Sequence, residues 1–145
     1  MIETGNAFEV DVLTWLLSAS GWAGGNTSLR LFTNDVDAGL TLAQKKALTN
    51  ASFTEATFAG YAAKTLTAAS WTITGGLPTA AVYATQTWQR SSTGAAQTVY
   101  GYWIRRVSDS RLLHYEKFVG PLTFQFLGDQ YGFAPRIPCK DGNDA

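Results

Sequence analysis

Gln97-Thr98-Val99-Tyr100-Gly101-Tyr102-Trp103-Ile104-Arg105-Arg106 reads as one long strand. Alternation sets Tyr100, Tyr102 and Ile104 on one face and Val99, Gly101 and Trp103 on the other. Both faces carry bulky side chains, which predicts that both are covered. Ser108-Asp109-Ser110 then turns the chain into Arg111–Phe118, the expected hairpin partner. Gly120-Pro121 reads as a break. Beyond it Leu122, Phe124 and Phe126 alternate with Thr123 and Gln125. Gly128-Asp129-Gln130 turns into Tyr131–Ile137, where Tyr131, Phe133 and Ile137 share a face.

Upstream, Ser28–Thr33 alternates with Leu29 and Leu31 on one face and stops at the turn residues Asn34-Asp35. Strands are expected at Phe53–Phe58, Tyr61–Leu66, Ser70–Thr74 and Thr79–Arg90, the last long enough to carry a bulge. Two segments read otherwise. Val10, Leu13 and Leu17 give an apolar stripe at helical spacing, ended by Gly21, Gly24 and Gly25. Thr41–Leu48 is either a helical turn capped by Thr41 or a loop. About eight or nine short strands with turns every 8–12 residues predict an all-β chain, a β-sandwich or jelly-roll-like barrel. The expected organisation is an N-terminal arm with a short helix (1–27), a β-sandwich (28–138) and a polar tail (139–145). The expected core is Leu29, Leu31, Trp71, Ile73, Tyr100, Tyr102, Leu113, Tyr115, Phe124 and Phe126.

Composition narrows the function. The 145 residues make one domain's worth of chain. They are 46% hydrophobic and 15% charged, which excludes ordinary disorder. Lys plus Arg equals Asp plus Glu, so the basic excess of a nucleic-acid or membrane-surface binder is missing, and neither partner is expected. No apolar run approaches the ~20 residues of a membrane helix. The start Met-Ile-Glu-Thr-Gly-Asn lacks the basic region of a signal peptide. A single cysteine, Cys139, excludes an internal disulfide or a cysteine zinc site.

Candidate chemistry is sparse, and no cofactor is expected. The one histidine, His114, shares a strand face with Leu112, Glu116 and Phe118, so Glu116 is placed to orient its imidazole. No nucleophile elbow accompanies it, and a plain same-face pair is the simpler reading. Asn34-Asp35-Val36-Asp37 resembles a calcium loop but lacks the glycine and closing glutamate of an EF-hand. The five Trp, six Tyr and eight Phe either stack sugars, as in a glycan-binding sandwich, or fill a core and subunit contacts. Scarce charge with abundant aromatics favours a surface covered by neighbours, hence a subunit of an assembly.

The order of motifs adds a resemblance. Leu29-Arg30-Leu31-Phe32-Thr33-Asn34 is followed by Thr54-Glu55-Ala56 and Gly60-Tyr61. Val99-Tyr100-Gly101-Tyr102 and Leu112-Leu113-His114-Tyr115-Glu116-Lys117-Phe118 come later. Over roughly residues 28–137 this resembles small structural proteins of tailed-bacteriophage virions. The resemblance implies a non-enzymatic all-β virion component. The favoured expectation is a capsid cement or decoration protein on the capsid exterior, made in the host cytoplasm. Its partners would be the major capsid protein and further copies of itself, a trimer favoured. The alternatives are a tail or fibre accessory protein and the glycan-binding module. The expected assembly contacts are the arm residues Val12, Leu13, Trp15, Leu16, Leu17 and Trp22, together with Glu55, Arg105 and Arg106. Gly60 and Gly101 read as sites of close backbone approach. Tyr61, Tyr100 and Tyr102 read as buried rings whose hydroxyls reach polar groups.

Overall fold

The structure, a computed structural model, describes residues 25–74 and 79–139. They form nine antiparallel strands, one short α-helix and two single-turn 3-10 helices, Asn50–Ser52 and Ala68–Ser70. The strands are β1 (Thr27–Phe32), β2 (Lys64–Leu66), β3 (Thr72–Thr74), β4 (Thr79–Val82), β5 (Gln86–Gln89), β6 (Gln97–Arg106), β7 (Leu112–Phe124), β8 (Gln130–Phe133) and β9 (Arg136–Cys139). The α-helix is α1 (Leu42–Lys46). The main sheet has the order β2-β1-β6-β7, and two smaller sheets pair β3-β4-β9 and β5-β8. The all-β, sandwich-like reading is right. The expected arm helix lies outside the described residues.

The main sheet is covered on both faces, as its bulky alternation requires. Leu29, Leu31, Leu66, Tyr102, Ile104 and Phe124 pack on one side with Ala81, Trp88 and Ile137 of the smaller sheets. On the other side Phe32, Phe53 and Trp103 form a second cluster, edged by Tyr100, Leu112 and Tyr115. Phe53 stacks on Trp103 with ring centroids 5.1 Å apart. Loop 53–58 is not the expected strand: its backbone pairs with β1 at one isolated bridge, Phe32 to Glu55. It serves both cores, placing Phe53 in one and Ala56 and Phe58 in the other.

Two irregularities of β7 correct the expected phases. Gly120-Pro121 does not end the strand. Val99 faces Leu122 and Gly101 faces Lys117, so Phe118–Pro121 swells out of the ladder and pairing resumes after it. Proline is tolerated because β7 is the last strand of its sheet. Across from this swelling the alternation of β6 slips. Val99 joins Tyr102 and Ile104 in the main core, and Tyr100 turns to the Trp103 side. Near the start of β7, Ile104 faces His114 while Arg105 faces Leu112, leaving Leu113 as an extra residue. Leu112 therefore lies on the face opposite His114, Glu116 and Phe118 rather than with them.

The long strand expected at Thr79–Arg90 is two strands, and so is Tyr131–Ile137. β4 pairs with β9 and β5 with β8, so the two stretches bend together and change sheet. The Tyr83 amide donates to the Pro135 carbonyl at 2.9 Å at the bend. The sandwich boundaries also move by one residue at each end, since Thr27 and Cys139 both belong to strands. Thr41–Leu48 resolves as a helix. Thr41 and Gln44 form a reciprocal capping box, which satisfies amides a five-residue helix would otherwise leave open.

Both marked glycines sit at close crossings. A Cβ on Gly101 would collide with the Glu116 carbonyl and stand 2.7 Å from Phe32 Cζ. Gly60 has φ +91°, and a Cβ there would run into the Gln89 carbonyl.

Candidate docking site

The expected contact residues fall into two groups. Val12, Leu13, Trp15, Leu16, Leu17 and Trp22 lie outside the described residues. Glu55, Arg105 and Arg106 are described, and each is engaged within its own chain. Glu55 pairs with Arg30 and accepts the Tyr61 hydroxyl at 2.8 Å. The same Tyr61 oxygen accepts the Leu31 amide at 3.2 Å, so the network ties loop 53–61 to β1. Burial pushes the Tyr61 hydroxyl well above its ordinary range, and the Glu55 carboxylate adds to this. Arg105 donates to Ser110 at 2.7 Å, and Arg106 pairs with Asp109, bracing the β6–β7 turn. Tyr100 lines the second cluster.

His114 and Glu116 do share a face, with His114 Nε2 3.9 Å from the carboxylate. That distance is too long for a hydrogen bond. The Glu116 oxygens are taken instead by the Tyr102 hydroxyl at 2.8 Å and by Arg136 at 3.2 Å. His114, Arg136 and Tyr102 together hold the Glu116 carboxyl down at about 2. A depressed folded value stabilises the protein at every pH above the unfolded value, and the contribution is lost as pH falls through the folded one. The melting temperature should therefore drop between about pH 4.5 and pH 2. Glu116→Gln should flatten that part of a melting-temperature profile; an unchanged acid slope would mean other carboxylates govern it.

The aspartates of the Asn34–Asp37 loop are spent on cations of the fold. Lys117 pairs with Asp35 and, at 2.9 Å, with Asp37, which pushes the lysine up to about 12. Among the described residues no group of three or more His, Cys, Asp or Glu side chains is placed to hold a metal ion. No described helix is long and apolar enough to cross a membrane.

The described tryptophans do not line a solvated groove. Trp88 is buried, stacked on Phe133, with its indole N–H donating to the Ala62 carbonyl at 2.9 Å. Trp103 is buried and donates to Asn50 at 2.8 Å. Trp71 is half-buried, edge-on to Tyr83.

Two adjacent large apolar side chains are exposed at the turn after β7. Phe126 was expected in the core from its alternation with Leu122 and Phe124, and it is 65% exposed; Leu127 is 62% exposed. The Asp129 carboxylate ends the alternation by accepting the amides of Gln125 at 2.6 Å and Phe126 at 2.7 Å. Those hydrogen bonds also hold the Asp129 carboxyl below its usual range. Two further bonds, Arg90 N–H to the Asp129 carbonyl and Gly128 N–H to the Arg90 carbonyl, lock the turn onto residue 90. The Arg90 side chain is buried beneath, donating to the carbonyls of Ser92, Phe124 and Ala95 at 2.7–3.0 Å. The result is a rigid turn that holds two large apolar side chains in water.

A shallow apolar groove lies at the other end of β7. One part, of about 440 Å³, is bounded by Leu42, Lys45 and Lys46 of α1 and by Leu112–Tyr115. It shares Leu48 and Leu112 with a second depression that reaches Arg111. Its lining includes three cationic side chains and no carboxylate. Compared with known proteins, the chain matches no family model, no curated protein and no solved structure.

Proposed function

We propose that the chain is a non-enzymatic structural subunit of a bacteriophage virion, a cement or decoration protein that stabilises the lattice of the major capsid protein. One observation carries this reading: Phe126 and Leu127 are held exposed on a turn that Arg90 and Asp129 make rigid. Leaving large apolar side chains in water is unfavourable, and such surface marks contact sites. A turn fixed beforehand loses little freedom on docking, so the apolar burial is retained as affinity. Aromatic side chains such as Phe126 are enriched in the buried centres of subunit contacts. The motif order of residues 28–137 and the low charge point the same way.

The test is whether the full-length protein joins virions. Purified particles lacking it should recover it on mixing and resist heat or chelator better. Phe126→Asp, at an exposed position, should remain folded by circular dichroism and lose most of its particle binding. Labelling in electron micrographs should mark the capsid exterior; label on the tail would replace the cement reading with that of a tail accessory. A protein that joins no part of the particle would end the virion proposal.

A further inference from the structure

We propose that the Phe126–Asp129 turn of one copy seats in the groove between α1 and β7 of a second copy. This rests on the reading of that turn as a docking element and names its partner. The two surfaces match in chemistry. The turn presents Phe126 and Leu127 beside the Asp129 carboxylate. The groove offers Leu48 and Leu112 within it and Lys46 at its rim, with no carboxylate in its lining. Lys45 is partly satisfied by Asp37 at 3.7 Å, whereas Lys46 has no ion-pair partner among the described residues. Apolar contact with one opposite-charge pair at the margin gives both affinity and orientation.

Position explains why the partner is another copy and not the same chain. The groove lies beside Leu112, at the start of β7, and the turn follows Phe124, at its end. Arg105 and Gln97, which face those two residues, are roughly 26 Å apart along β6 at ~3.3 Å per residue. The two surfaces cannot meet within one molecule. Each copy then offers a turn at one end and a groove at the other, so the contact is head-to-tail. Head-to-tail contacts close into rings when the rotation between copies allows it.

The experiment uses three full-length proteins in sedimentation velocity over a concentration series. The wild type should associate reversibly. Phe126→Asp spoils the turn, and the double variant Leu42→Glu with Lys46→Glu spoils the groove; all three positions are exposed. Each variant should keep the wild-type circular dichroism spectrum and associate at least tenfold more weakly. Mixed in equal amounts they should recover a one-to-one dimer, because one intact turn then meets one intact groove. A wild type that stays monomeric up to millimolar concentration would overturn the proposal. So would variants that associate like the wild type, or a mixture that recovers nothing. Particle binding is scored separately: loss of it in Phe126→Asp beside a monomeric wild type sinks self-docking and leaves the virion role standing.

Discussion

Replacing Phe124 by Ala is expected to lower stability by about 3–5 kcal/mol, the range seen when a large aromatic is truncated in a packed interior. Phe124 is 1% exposed, stacks on Phe58 with centroids 4.0 Å apart and meets Tyr131 edge-on. It therefore joins the end of β7, loop 53–58 and β8 through one ring. Denaturant melting should show the loss, with a fall in melting temperature of about 10–15 °C. A change under ~1 kcal/mol would mean that the neighbouring rings close over the vacancy.

Arg90→Met is expected to cost a comparable ~3–5 kcal/mol, although it removes a buried charge and keeps most of the volume. Relief of desolvation favours the variant. Against it stand three carbonyls, of Ser92, Phe124 and Ala95, that lose their donor at once. Hydrogen bonds to a charged donor contribute about 1.5–3 kcal/mol each, so their sum outweighs the relief. The loss should reach beyond stability. Amide hydrogen exchange should quicken in residues 91–96 and 125–129, because both loops hang on this one guanidinium. Equal exchange in wild type and variant would show that the backbone bonds alone hold the turn.

Much of the fold was legible because local pattern and tertiary packing agreed. The bounds of β6, Gln97–Arg106, are those the sequence marks, since its run of strand-forming residues is closed by turn residues on both sides. Gly60 and Gly101 were readable for a related reason: a glycine inside a strand-rich stretch signals close approach. The misreadings share a different cause. Val99, Tyr100, Leu112 and Leu113 changed faces because β7 carries extra residues, and a bulge leaves no mark on a strict two-residue period. Loop 53–58 has strand-like alternation, yet its burial comes from filling the rims of two cores and not from a ladder.

The candidate site was less legible. Phe126 looked like a core residue because Leu122 and Phe124 precede it in phase. The signal that corrects it was present in Gly128-Asp129: an aspartate a few residues on can capture the amides of Gln125 and Phe126 and end the strand early. The groove was beyond reach, because it forms between α1 and β7, which lie far apart in the chain.

The swelling at Phe118–Pro121 bears on how the protein behaves when crowded. Among the described residues no strand pairs with the outer side of β7, and an unbroken row of open amides and carbonyls there would invite other chains to stack on it as fibrils. The swelling divides that row into Leu112–Lys117 and the short remnant Leu122–Phe124. Pro121 contributes no amide, and Lys117 carries charge to the boundary. A chain stacking on β7 thus meets an interruption after six residues, which works against runaway polymerisation.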